Sequence, residues 1–263
     1  AMNEAWALAL FPFILWTSYR LINEKKNITK WIIGLGLSWF GLLTSHNLMV
    51  LIFTPVFAVW CLLFVRQKKW KMFPYLVVSG ILALGLAAFF TIPALIEQKY
   101  VQVNTLISGY YDYSGHFVSL NQMLLSRFWG YGGSIFGTGD GMAFPIGHFH
   151  WIATILVALY LFYRYVKTKK LDKFTLIVGF LILVGWFAAF MAHSRSIFIW
   201  LKVPTLAFVQ FPWRFLTITT FAFSFVAGTF ALILEKKKKI LFIAPALLLL
   251  SVVIWNWEFF RIE

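Results

Sequence analysis

A chain of 263 residues that is 61% hydrophobic, 20% aromatic and only 12% charged carries far more apolar surface than the roughly 45–50% of a soluble domain. Its formal net charge of +14 is spread over breaks between apolar runs, whereas a nucleic-acid surface mixes bases with exposed aromatics in one soluble domain, so no nucleic acid is expected as a partner. The single cysteine, Cys61 inside an apolar run, excludes an internal disulfide and a thiolate metal centre and leaves the redox compartment open.

A helix that crosses a bilayer takes about 20 mostly apolar residues. By that measure the chain reads as one polytopic, all-α membrane domain over 1–263, with about eight transmembrane helices at 5–22, 31–46, 47–65, 74–95, 150–166, 174–192, 215–234 and 240–257. Continuous apolar runs without period-2 alternation favour helices over barrel strands. The first run, "AMNEAWALALFPFILW", contains Glu4 and lacks both a basic leader and a small-residue cleavage site, so it does not read as a signal peptide. With no export signal ahead of an outward-facing start, the chain is expected to lack an N-terminal part.

Four breaks hold most of the cations: "SYRLINEKKNITK" has four, "VRQKKWK" four, "YRYVKTKKLDK" five and "EKKKK" four, 17 of the 23 Lys and Arg. They are alternate breaks, so eight crossings put all of them on one side, and the positive-inside tendency makes that side cytoplasmic. Both termini are then expected on the non-cytoplasmic side of the cell membrane. The remaining six, Lys99, Arg127, Arg195, Lys202, Arg214 and Arg261, fall on or near the opposite face. The five histidines, His46, His116, His148, His150 and His193, join them, as do Glu4, Glu97, Asp112, Asp140, Glu258 and Glu263.

Between the second and third helices, "LLTSHNLMVLIF" sets His46 and Asn47 at a tight turn, where they either cap a helix or contact a substrate. After the fourth comes a long outer loop, about 96–149, dense in Gly, Tyr, Trp and Phe. Its aromatic content argues for order, and "SLNQMLLSRFW" fits an interfacial amphipathic helix, apolar at Leu120, Met123, Leu124 and Phe128. Aromatic faces beside Asp112, Asp140 and histidines suit sugar rings, although an aromatic belt at the membrane surface needs no ligand. At the end of the loop, "GHFHW" puts His148 and His150 on one face if the segment is extended. No third ligand stands at a recognised spacing, so no cofactor is expected beyond a possible divalent cation at Asp140 or Asp112.

In "AHSRSIFIWLKVPTLAFVQFPWRFL", Arg195 and Arg214 flank a re-entrant or interfacial stretch broken by Pro204 and Pro212. An arginine near hydrocarbon either snorkels or binds, and a guanidinium is the preferred bidentate partner of phosphate. Pro212 restricts Phe211 to extended backbone, and a helix beginning at Phe215 turns its positive end towards an anion beside Arg214.

The segments "NEAWALALFPFILW", "SHNLMVLIFTP", "LLSRFWGYGGSIFGTGDGMAFPIGHFHW" and "FVQFPWRFL" together resemble bacterial polytopic proteins described as membrane proteins with a 6-pyruvoyl-tetrahydropterin synthase-related domain. The description does not suit the residues, since nothing here matches a soluble three-histidine zinc enzyme. The broader similarity is to GT-C glycosyltransferases, which take sugars from polyprenyl-phosphate donors on the outer face and carry their catalytic acid in a first outer loop, beyond which this chain is expected to start. The resemblance implies a GT-C-like glycosyltransferase or its C-terminal part, with membrane lipids and a lipid-linked sugar as partners. Arg195 or Arg214 then supplies positive charge to the departing phosphate, Glu4 or Asp140 a carboxylate, and His46 and Asn47 orient the donor. Asp112, His148, His150, Gln210 and Trp213 complete the expected substrate contacts. The alternatives are a transporter or flippase, against which stands the scarcity of polar residues within the helices, and a non-catalytic scaffold.

Overall fold

The computed structural model describes residues 2–24, 26–66, 69–137, 139–234 and 238–260. Parts of the basic breaks (Lys25, Lys68, Glu235, Lys236 and Lys237) and the terminal Arg261 and Glu263 lie outside the described residues. Among those described there is no strand, only one isolated antiparallel bridge between Tyr131 and Met142. The chain divides into two units, Ala1–Asp112 with Pro204–Gln210, and Tyr113–Val203 with Phe211–Glu263.

The first unit is built from α1 (Met2–Asn23), α2 (Ile28–Ser45), α3 (Asn47–Val65), α4 (Phe73–Leu86) and α5 (Ala88–Glu97). The first helix packs on the second and third, and the second on the fourth. Small residues permit close approach without large side chains between helices: a Cβ on Gly36 falls 2.7 Å from Leu82 Cδ2, and one on Gly41 3.1 Å from Leu10 Cδ1. Phe11 stacks on Phe53 with centroids 4.0 Å apart. The indole Nε1 of buried Trp60 donates to Ser18 Oγ at 3.1 Å, so this polar pair is satisfied inside the apolar bundle.

The segment expected as one helix over 74–95 is broken. Trp70–Leu86 and Ala88–Tyr100 meet at 72°, because Ala87 adopts φ −85°, ψ 0° in place of a continuing helical turn. Gly80 and Gly85 weaken the helix before the break and Pro93 removes an amide after it.

The second unit comprises α6 (His148–Thr168), α7 (Lys173–Ala192), α8 (Ile197–Lys202), α9 (Leu216–Leu234) and α10 (Lys238–Trp255). Its centre is the contact of α7 with α9, and α6 packs on α9 as well. A Cβ on Gly185 falls 2.5 Å from the Phe223 ring, so only glycine lets α7 seat here. The Thr219 hydroxyl uses the same opening to donate to Gly185 O at 3.1 Å.

Six helices of the described residues are long and apolar enough to cross a membrane, or seven spans if the bent pair is one. All eight expected segments coincide with helices to within a few residues, the fourth as the broken pair. The long loop is ordered by four short 3-10 turns and one π turn, Asn121–Leu125. The amphipathic helix expected over "SLNQMLLSRFW" is therefore only that single turn, closed by Ser126 N donating to Asn121 O at 2.7 Å. Its apolar residues do not share a face: Met123 is buried, while Leu120 and Phe128 are exposed.

Candidate functional site

The second unit contains a cavity at the end of α7. The turn after α7 builds its mouth. His193 ends α7 with φ −95°, ψ 145°, and its Nδ1 accepts the Arg195 amide at 3.1 Å. Ser196, buried, donates its hydroxyl to His193 O at 2.8 Å, and the buried Trp200 indole donates to Met191 O at 3.2 Å. These bonds clamp the turn, and Trp200 is wedged in turn by Tyr113, stacked at 4.9 Å, and Phe215, edge-on at 5.8 Å.

The loop closes over this end of α7. Val118 N donates to Ala192 O at 2.9 Å, Ile146 N to Met123 O at 2.9 Å, and Trp151 Nε1 to Leu124 O at 3.1 Å. The partly open space is about 200 Å³, lined by Leu120, Met123, Leu124, Ile146, Trp186, Ala189, Phe190, His193 and Arg195. Apolar walls with two basic groups suit the apolar end of an anionic amphiphile. Desolvation by burial first, and the nearby Arg195 charge second, hold His193 below the ordinary imidazole range.

Asp140 is the anchor of the loop. Its Oδ1 accepts from Ser134 Oγ and from Ile135 N, both at 3.1 Å, and its Oδ2 accepts from Gln122 Nε2 at 2.7 Å. Ser134 Oγ also meets His116 Nδ1 at 2.9 Å, and both of these residues are buried. The order Asp, Ser, His places the hydroxyl in the middle, with the imidazole edge-on to Phe211 at 4.8 Å. These bonds tie His116, Gln122, Ser134 and Asp140 into one network.

His148 and His150 do not share a face. Both lie in the first turn of α6 rather than in extended chain, and a spacing of two on a helix separates them by about 200°. His148 packs against Trp151 and Trp255 with centroids 6.5 and 6.0 Å away. Among the described residues no group of three His, Cys, Asp or Glu could hold a metal ion.

Arg214 lies inside a 3-10 turn, Pro212–Phe215, that leads into α9, so the turn begins at Pro212 and not at Phe215. Phe211 is extended, φ −121°, ψ 107°, as the following proline requires. The Arg214 guanidinium carbon is 5.0 Å from the Phe211 ring centroid and 5.9 Å from that of Trp213. Those two rings stack at 5.3 Å, and Trp213 Nε1 is buried with no hydrogen-bond partner among the described residues.

The other expected residues belong to the first unit. His46 caps α3, its Nδ1 accepting from Met49 N at 3.4 Å, while Asn47 is an exposed first-turn residue. Glu4 stands in the first turn of α1 and Asp112 ends the 3-10 turn Gly109–Tyr111. Gln210 has φ 66° and donates from Nε2 to Leu106 O at 2.9 Å. Sequence reasoning did not single out Ser134, Gln122 or the cavity walls Trp186 and Phe190. A serine near an aspartate in a glycine-rich stretch was the available signal for the first of these.

No protein-family model, curated protein or solved structure matches the chain.

Proposed function

We propose that the chain is a multi-pass membrane protein that binds a lipid-linked phosphate, and that it forms the donor-binding part of a GT-C-like glycosyltransferase using a polyprenyl-phosphate sugar. The observation that carries this reading is the apolar cavity at the end of α7 with His193 and Arg195 at its mouth. The volume, about 200 Å³, suits one end of a ligand rather than the whole, since pockets that bury a drug-sized molecule run from roughly 300 Å³ upwards.

In this reading the apolar walls take the first part of the lipid chain and the guanidinium of Arg195 takes the phosphate, with Arg214 as a second cation at the start of α9. Positive charge aimed at the departing phosphate stabilises the transition state of transfer. The acceptor hydroxyl still needs a base. Asp140 is a poor one, because its two carboxylate oxygens are already engaged by Ser134 Oγ, Ile135 N and Gln122 Nε2.

Binding of polyprenyl monophosphate and of the matching phosphate-free polyprenol to protein in nanodiscs tests the first half. At least tenfold preference for the phosphate, lost in Arg195→Ala, is expected; equal affinity overturns it. Transfer of label from polyprenyl-phosphate sugars in membranes tests the second half. Movement of the labelled lipid between leaflets without transfer replaces the glycosyltransferase by a transporter.

A further inference from the structure

We infer that the hairpin-like segment 128–143 is a membrane-dipping tongue, whose exposed aromatic side chains lodge at the boundary between lipid headgroups and acyl chains. This inference is independent of what the cavity binds.

The described residues of the segment, 128–137 and 139–143, are built to be rigid. Gly132 N donates to Gly141 O at 2.7 Å, Gly141 N to Gly133 O at 3.0 Å and Ala143 N to Gly130 O at 3.1 Å. The two limbs touch backbone to backbone: a Cβ on Gly130 falls 2.6 Å from Gly141 O, and one on Gly132 2.8 Å from Gly141 Cα. Asp140 ties the tip to Ser134, Ile135 and Gln122. A segment so fixed does not bury its apolar groups by rearranging.

Yet those groups face outwards. Tyr131 is 85% exposed, and Phe128, Trp129, Ile135 and Phe136 are each exposed by 46% or more. From 128 to 137 the sequence has no charged residue, and the charges at either border are already engaged: Arg127 pairs with Glu258 at 2.7 Å, and Asp140 holds the donors named above. Uncharged, aromatic and glycine-rich surface suits the headgroup level, where Trp and Tyr rings are enriched.

Position selects a lipid surface over a protein partner. The segment runs within five residues into His148, the first residue of α6, which is one of the helices able to span a membrane. Trp129 also packs on Phe259 at 5.6 Å, and Arg127 Nη2 donates to Trp255 O at 2.5 Å, where α10 ends. The tongue therefore sits at the ends of two apolar helices, at the depth where hydrocarbon gives way to water.

The test is site-directed spin labelling in a Cys61→Ala background, in vesicles of phosphatidylcholine and phosphatidylglycerol. Labels go to Tyr131→Cys and Phe136→Cys, with Leu159→Cys on the exposed mid-face of α6 and Lys170→Cys in the basic turn as references. Collisional relaxation by oxygen and by a water-soluble nickel chelate reports depth. Position 131 is expected between the two references and several-fold more accessible to oxygen than Lys170→Cys. A label at 131 as open to nickel as that at 170 overturns the inference. So does one shielded from both reagents, which assigns the tongue to a second copy of the chain.

Discussion

Arg214 and His193 carry the sharpest residue-level consequences. The Arg214 guanidinium lies over Phe211 and Trp213, so its plane is oriented before any ligand arrives, and a lysine reproduces the charge but not the fork. Arg214→Lys is expected to lose ten- to hundredfold in polyprenyl-phosphate binding at unchanged abundance, on the scale of about 1–3 kcal/mol for a charge-assisted hydrogen bond. Retained affinity returns the residue to an interfacial anchor. For His193, burial and Arg195 favour the neutral ring. The folded state thus gains stability above the ordinary imidazole pKa of about 6.5 and loses it as pH falls through the lowered folded value. An anion in the cavity reverses that preference by favouring the imidazolium, so binding takes up a proton. Affinity for polyprenyl monophosphate, measured between about pH 7.5 and 5.5, is expected to rise towards acid in the wild type more steeply than in His193→Asn. Parallel profiles remove His193 from the site.

At the scale of elements, tight seats decide what the fold tolerates. Gly185→Val adds two further carbons where even a Cβ meets the Phe223 ring at 2.5 Å, and it is expected to lower the unfolding midpoint in detergent clearly more than Gly179→Val, where nothing stands within 4 Å. In the loop, Asp140→Ala strips three donors of their acceptor, a cost of about 1–3 kcal/mol for each buried group left unmade. Amide exchange across 130–142 is expected to quicken while that of α7 stays slow; unchanged exchange denies Asp140 its anchoring part. How much of this was legible in the sequence follows from local chemistry. Apolar runs such as 174–192 announce a helix, and Pro212 announced extended Phe211. The bend at Ala87 did not show, because the apolar pattern of 74–95 runs unbroken through it. The helical setting of His148 and His150 was hidden since Gly147, with φ 92°, starts the helix by backbone conformation rather than by a side-chain cap. The anchoring bonds of Asp140 did not show either, because its donors, Gln122 and Ser134, are remote or unremarkable in sequence.

For the molecule as a whole, the basic breaks set a testable sidedness. In intact cells, Gly139→Cys is expected to react with a membrane-impermeant thiol reagent and Lys170→Cys only after permeabilisation; the reverse pattern inverts the positive-inside assignment. These two positions bracket α6, and that helix and its neighbour have nearly equal lengths, 21 and 20 residues, or about 30 Å each. Both are fixed at both ends. Gly147 starts α6 and left-handed Lys169 stops it; Asp172 starts α7 by accepting from Thr175 N at 2.9 Å and pairing with Arg164, and His193 stops it. Helices with ends so marked keep a nearly constant length, so the pair acts as a ruler of hydrophobic length. In a bilayer with a much thinner or thicker hydrocarbon core the lipid must deform or the helices must tilt, and tilting moves the α7 cavity mouth relative to the phosphate plane. Ligand capture is therefore expected to peak in bilayers of matching acyl-chain length and to decline in shorter and longer ones, a form of control that needs no effector other than the thickness of the membrane itself.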